Sequence, residues 1–249
     1  MTEFEYELER IRAEHKSHEP KYFCAKCKDT TWITWTDDEG YPVAKRCSCY
    51  TLRQVEEAKA RSEIPQEFQE KNFEDFVAND PRLSNAREKA RQYAEHFVEN
   101  EKEKCNSIML CGQVGAGKTH LATAICNELM TKGIHVTCFY YRNAVTKLKQ
   151  LVTSHNEYAA EISKFKDCRV LFIDDLLKGK VTDADVNVMY EIIDWRYSNK
   201  LPVIVSTEKT ILEIMKFDEA IAGRLVEMCR ENIIRFKGEE LDYRLRRQA

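Results

Sequence analysis

Gly112-Gln113-Val114-Gly115-Ala116-Gly117-Lys118-Thr119 fits the pattern G-x-x-x-x-G-K-[ST] at every fixed position. The apolar run Ser107-Ile-Met-Leu-Cys111 precedes this loop and reads as a strand. The residues after it read as a helix through Leu129, stopped by Lys132-Gly133. Strand, glycine loop and helix together make a phosphate cradle. Glycines let backbone N–H groups turn inward around phosphate oxygens, and the helix N-terminus adds partial positive charge. In such a cradle Lys118 reaches the β- and γ-phosphates and the Thr119 hydroxyl ligates Mg²⁺. His120 follows on the first helical turn and joins the cofactor-binding set. Three of the chain's eight glycines sit in this loop, so the match owes nothing to a general richness in glycine. The expected cofactors are ATP and Mg²⁺.

Downstream, Arg169-Val-Leu-Phe-Ile-Asp174-Asp175 reads as a buried strand ending in two acids. A strand of this kind delivers its acid to the C-terminal edge of a sheet, where ligands bind in open α/β folds. Asp174 is expected to hold magnesium through water. Asp175 is placed either to polarise the attacking water as general base or to cap the segment that follows. Ile134 to Tyr140 reads as a strand and 142–153 as a helix. Val186, Met189, Tyr190 and Ile193 give one helix face, and Pro202-Val-Ile-Val-Ser206 and Asn232-Ile-Ile-Arg-Phe236 read as further strands. Five strands alternating with helices imply a parallel sheet covered on both faces, in an α/β domain over 105–249.

Upstream, residues 51–104 are highly charged and mostly helical in pattern, with a turn at Asp80-Pro81 and an apolar face at Ala86, Ala90, Tyr93 and Phe97. They read as a helical linker. Residues 1–50 form a third part. Phe4, Leu8 and Ile11 fit a short amphipathic helix, and a cysteine cluster follows.

Cys24-x₂-Cys27 and Cys47-x-Cys49 are separated by 19 residues, a spacing that suits tetrahedral Zn²⁺. Trp32, Ile33, Trp35 and Tyr41 fit a small hairpin with Asp38-Glu39-Gly40 at its turn. A module this short builds no stable core alone, and a metal supplies what is missing. With all four ligands cysteine, no coordination position is open and the role is structural. The alternatives are a redox dithiol at Cys24/Cys27 or four structural thiols. The remaining six cysteines lie singly in apolar segments and read as small buried hydrophobes.

The charge balance is 39 basic against 42 acidic residues, which excludes a strongly cationic nucleic-acid binder as a description of the whole chain. No apolar run approaches the ~18–20 residues of a membrane helix. The acidic N-terminus lacks a signal pattern, so a cytoplasmic protein with no membrane partner is expected.

With loop and acidic strand in register, the chain from about Ile64 onward resembles the AAA+ ATPases of the bacterial and phage helicase-loader group, the DnaC/DnaI type. The transposition ATPases of the IstB type share the pattern. Val205-Ser206-Thr207-Glu208 lies where this group keeps a polar residue that reads the γ-phosphate. Ala220-Ile-Ala-Gly-Arg224-Leu is similar to its box with an arginine finger, and Ile64-Pro65 with Phe68 to its segment near the base. The resemblance implies catalytic roles for Lys118, Asp175, Thr207 and Arg224. Arg224 would then act from a neighbouring subunit; its alternative is a surface ion pair.

Three departures stand out. The second acid is Asp175 where the group often has Glu, and Glu208 stands where Asn is common. The chain reaches Ala249 soon after the fifth strand, leaving no room for a helical lid, and Arg244 in the tail is the candidate to stand in for the lid's second sensor. That compact form fits a phage or mobile element. For single-stranded DNA the candidates are Tyr140, Tyr141 and Arg142, and Lys178, Gly179 and Lys180, since stacking plus cations grips single strands. Tyr140 also reads as core. The implied function is ATP-dependent loading of a replicative DNA helicase, with self-association in the ATP state and the zinc module holding the helicase. The alternatives are an IstB-like ATPase delivering target DNA to a transposase, and an ATP-liganded adaptor with little hydrolysis.

Overall fold

The computed structural model describes residues 22–61 and 64–243. The expected helix over 1–19 and Arg244 lie outside the described residues. The chain divides into two compact units, 1–53 and 54–249.

In the first unit, β1 (Trp32–Thr36) and β2 (Pro42–Arg46) pair antiparallel, from Trp32 opposite Arg46 to Thr36 opposite Pro42. The Asp37 carboxylate closes the connection by accepting the N–H groups of Glu39 at 3.1 Å and Tyr41 at 2.8 Å. Helix α1 (Cys49–Arg61) starts at the fourth cysteine of the cluster. Among the described residues of this unit the buried side chains are Cys27, Cys47 and Cys49, with Cys24 and Ile33 packed against them. That is far too little apolar surface to hold a hairpin in one conformation.

The second unit is built on five parallel strands: β3 (Ile108–Gly112), β4 (Val136–Tyr140), β5 (Val170–Asp174), β6 (Val203–Thr207) and β7 (Ile233–Phe236). Their spatial order is β4-β5-β6-β3-β7. Side chains alternate between the two faces. Ile108 and Leu110 of β3, Phe172 of β5 and Ile204 of β6 face one core, shared with α3 (Pro81–Glu95) and α5 (Lys118–Thr131). Met109, Ile173 and Val205 face the other, shared with α6 (Tyr141–Leu151), α7 (His155–Asp167), α8 (Asp183–Ser198) and α10 (Glu219–Cys229). Two layers of helices thus enclose a sheet whose strands are mostly apolar.

The segment read as a linker contributes Ile64, Phe73, Phe76 and Leu83, and then Ala86, Ala90, Tyr93 and Phe97, to the first core. Asp80-Pro81 opens α3 rather than interrupting a helix. The Asp80 carboxylate accepts the Arg82 N–H at 2.8 Å and Pro81 takes the first turn, where its missing N–H costs nothing. Helix α8 is rotated from the expected face. Val188, Met189, Ile192 and Ile193 are buried while Tyr190 is exposed. Arg196 explains the rotation: fully buried, it donates to the carbonyls of Phe165 at 2.9 Å, Cys168 at 2.9 Å and Pro202 at 2.7 Å, closing the end of α7. Cys111, Cys126, Cys138 and Cys229 are buried, and Cys105 and Cys168 half-buried, none of them in a disulfide.

Candidate nucleotide site and metal centre

The loop 112–119 leaves the C-terminal end of β3 and turns into α5 with Gly115 at φ +71° and Gly117 at φ +86°. Both glycines are required by their neighbours as well as by their backbone. A Cβ at Gly115 would run into the Asp242 carboxylate, and one at Gly117 into the Phe76 ring. A cleft of about 560 Å³ opens over the loop. Val114 to His120, Asp174, Asp175, Lys178 and Glu208 line its polar end. Phe68, Phe76, Val77, Leu83, Leu241 and Tyr243, with Lys71, Asp75 and Asn79 among them, line the rest, a largely apolar recess that suits a base. The Tyr243 N–H donates to the Gly115 carbonyl at 3.1 Å, so the tail is tied to the loop it covers.

Lys118 folds back on its own loop, donating to the carbonyls of Gly112 at 2.8 Å and Gln113 at 2.6 Å. Burial pushes its ammonium below the ordinary lysine value, against the pull of Glu208 and Asp175. A phosphate oxygen taking the place of those carbonyls would restore a full countercharge. Gln113 is held by its N–H on the Phe236 carbonyl at 2.9 Å. His120 lies edge-on to Phe76 with Nε2 2.9 Å from the Asn72 carbonyl oxygen, and so ties α5 to the segment before α3.

The two acids divide. Asp174 Oδ1 accepts the Thr119 hydroxyl at 3.0 Å and the Ser206 hydroxyl at 2.6 Å. Burial carries its carboxyl above the ordinary aspartate value, and the two hydroxyls offset only part of that. A raised folded-state pKa means that ionised Asp174 costs stability at neutral pH, a cost that a divalent cation offsets. Thr119 and Asp174, one hydroxyl and one carboxylate at the mouth of the loop, fit a magnesium ion that keeps most of its waters. Replacing Asp174 with asparagine is accordingly expected to leave the nucleotide-free protein at least as stable as wild type. The same change should remove the magnesium-dependent part of an ATP stabilisation that in total amounts to about 2.7 kcal/mol at 100 times Kd. Thermal unfolding with and without Mg-ATP checks both.

Asp175 sits at φ +57° just past the strand. Its N–H donates to Ser206 Oγ at 2.9 Å and its Oδ2 accepts the Lys178 ammonium at 2.9 Å. Lys178 also pairs with Glu208 at 3.0 Å. Burial opposes the Lys178 charge, but its bonds to both acids carry its pKa above the ordinary lysine value.

The choice of Thr207 as sensor is corrected by strand alternation. Ser206 shares the face of Ile204 and α5, where the loop lies. Thr207 shares the face of Val205, is fully buried, and spends its hydroxyl on the Leu176 carbonyl at 2.8 Å. Glu208, one residue on, is the side chain of this strand end that reaches the cleft. Ser206 bonds Asp174 and Lys178 lines the cleft, although the sequence reading assigns Ser206 no role of its own and sets Lys178 among the DNA candidates. The period-two rule applied to 203–208 points to Ser206, and the i,i+3 spacing of Asp175 and Lys178 points to the lysine.

Arg224 does not line its own cleft. It pairs with Asp194 at 2.5 Å, donates to the Ala220 carbonyl at 3.2 Å and lies over the Tyr190 and Tyr197 rings. Of the DNA candidates, Tyr141 is buried in the second core and Tyr140 is half-buried against the first. Arg142, Gly179 and Lys180 are exposed, with Arg142 beside Gly179.

In the first unit the four thiols of Cys24, Cys27, Cys47 and Cys49 lie within 4.8 Å of one another. Cys24 and Cys47 Sγ are 3.7 Å apart, and Cys27 and Cys49 Sγ 3.3 Å. A zinc–sulfur bond of ~2.3 Å gives a tetrahedron with edges of about 3.8 Å, so the donor set fits the ion. Two of the thiols are shifted in opposite directions. Backbone N–H groups of Cys27 and then Lys26 outweigh desolvation and bring Cys24 down to about 6, while burial pushes Cys49 up to about 12. The Asp29 carboxylate pins the first knuckle, accepting the Cys24 N–H at 3.0 Å and the Arg53 guanidinium.

Fold and cleft together define a P-loop nucleotide-binding protein of the AAA+ type. The chain belongs to the IstB-like ATP-binding family, whose pattern matches residues 30–249. It is similar to the phage-like element PBSX protein XkdC of Bacillus subtilis, 35% identical over 243 residues covering 92% of this chain and 89% of that one. It is 30% identical over 159 residues to the replicative helicase loader DnaC of Escherichia coli, covering 63% of this chain and 62% of the loader. The crystal structure of the DnaC helicase loader superposes with a TM-score of 0.59 at 21% identity, over 70% of this chain and 100% of that one, which marks a shared fold. Among the described residues no helix is long and apolar enough to cross a membrane.

Proposed function

We propose that the protein loads a replicative DNA helicase in an ATP-dependent manner. The nucleotide half of this reading is carried by the Asp174 carboxylate, held between Thr119 of the phosphate loop and Ser206 of the intervening strand. The loading half is supported by the kinship with the replicative helicase loader DnaC. In this scheme Lys118 and the loop N–H groups hold the triphosphate and Thr119 and Asp174 hold magnesium. Asp175 polarises the attacking water, and Arg224 from a neighbouring copy completes the site. A bound magnesium would supply Lewis-acid polarisation of the phosphates. The exposed cations Arg142 and Lys180 contact single-stranded DNA. The four cysteines hold one structural zinc, and residues 1–50 form the module that grips the helicase, ahead of the helical segment 51–104 and the ATPase domain 105–249.

The test is capture. The immobilised full chain, with Mg-ATP, is offered a purified replicative helicase and, separately, an insertion-sequence transposase. Helicase retention that requires ATP is expected. Retention of the transposase alone would transfer the assignment to target-DNA delivery, a reading the IstB-like family also contains. Stable ATP binding without turnover, with single-stranded DNA present, would indicate an adaptor.

A further inference from the structure

We propose that Lys178 and Glu208 form the γ-phosphate sensor of the cleft, Lys178 touching the phosphate and Glu208 aiming it. The inference rests on the cleft's being an ATP site and adds two residues to it. A triphosphate entering beside Asp174, Asp175 and Glu208 meets three carboxylates. Magnesium at Asp174 offsets one, and Lys118 holds the triphosphate from the loop side. The remaining pair would repel the terminal phosphate unless a cation stood between them, and Lys178 does. Its ammonium is 2.9 Å from Asp175 Oδ2 and 3.0 Å from Glu208 Oε1. An ammonium has three N–H donors; two are occupied, and the third remains for a ligand oxygen.

Lys178 is also rooted firmly enough to aim. Leu176 and Leu177 before it are fully buried. The Leu176 N–H donates to the Ser206 carbonyl at 2.9 Å, and the Lys178 N–H to the Asp175 carbonyl at 3.1 Å. The backbone is thus fixed, and the side chain bridges the two acids. ATP would draw the ammonium onto the γ-phosphate. Asp175 would thereby lose its lysine and become free to accept from water, while Glu208 keeps Lys178 in place. ADP lacks the group that draws it, so Lys178 stays on Asp175.

The experiment compares Mg-ATP and Mg-ADP dissociation constants, by displacement of a fluorescent nucleotide, in the full-length wild type and four variants. Lys178→Met is expected to weaken ATP about tenfold or more, the loss of one charge-assisted hydrogen bond to phosphate with its neighbouring repulsion. ADP should stay within about twofold, which also shows that the variant is folded. Lys178→Arg should keep most of the ATP preference. Glu208→Gln should lose part of it, and the double variant Lys178→Met/Glu208→Gln should be no weaker for ATP than Lys178→Met alone, because Glu208 acts through the lysine. Equal weakening of ATP and ADP, or an unchanged ATP/ADP ratio, overturns the sensor while leaving the cleft an ATP site. A wild type that binds neither nucleotide overturns the reading of the cleft itself and the sensor with it.

Discussion

Replacing Arg224 with alanine is expected to leave ATP affinity within about twofold of wild type while turnover by the assembled protein falls by ~10³-fold or more. The expectation follows from where the side chain lies. Arg224 does not line its own cleft, so it cannot stabilise the nucleotide of its own chain. It is held by Asp194 and by the faces of Tyr190 and Tyr197, and among the described residues its Nε is buried without a hydrogen bond. A guanidinium stacked on aromatic rings and paired through its terminal nitrogens is preorganised to exchange one anion for another. A neighbour's γ-phosphate would compete with Asp194 for it. If Arg224 merely makes an ion pair on its own surface, the substitution changes stability slightly and turnover not at all. Steady-state phosphate release, measured at protein concentrations spanning self-association, separates the two. Unchanged turnover across that range would sink the finger assignment.

Removing zinc should have the largest effect on structure. The full chain purified without chelators is expected to carry about one zinc per molecule, and stripping it should unfold the β1–β2 hairpin. Structural zinc contributes ~10–16 kcal/mol in comparable small modules, while the hairpin's own buried side chains are little more than its cysteines. Cys27→Ser should act likewise. Acidification works in the same direction, because protons compete with the metal for thiolates. With Cys24 brought to about 6 and Cys49 raised to about 12, one thiol is ready to bind as thiolate while another gives up its proton only to the metal. Trp32 and Trp35, at 43% and 45% exposure on β1, report the loss through their fluorescence. Less than half a zinc per chain, with tryptophan emission insensitive to chelator, would count against the site.

The sheet was legible because its signals are local. Each strand is a short apolar run between turn residues, and the loop at 112–119 names its own flanking elements. Where legibility failed, the deciding interaction was distant in sequence. Helix α7 carries only Ile162 and Phe165 as buried positions, too few to show a period. The face of α8 is set by Arg196, whose partners lie on α7 and before β6. The segment 51–104 is charged enough to read as a linker, yet its few apolar residues between 64 and 97 pack into one core. At the site, motif spacing located Lys118, Thr119, Asp174 and Asp175, because these groups follow directly from strand and loop geometry. It chose Thr207, which turns into the second core while Glu208 reaches the cleft, since a family box gives a position along a strand but not the face it points to.

Past β6 the chain runs from Glu208 through two capped helices to Arg224. In α9 (Ile211–Phe217), Thr210 and Glu213 cap each other, and Asp218 accepts the Ile221 N–H at 2.7 Å at the start of α10. Ile214, Ile221 and Leu225 bury the inner side of both helices. An arm so fixed has few ways to absorb a displacement at its root. If drawing Lys178 away from Asp175 shifts Glu208 and that shift carries to Arg224, nucleotide and neighbour become linked ligands of one equilibrium. Linkage then demands reciprocity. The factor by which ATP tightens the contact between two copies must equal the factor by which a second copy tightens ATP.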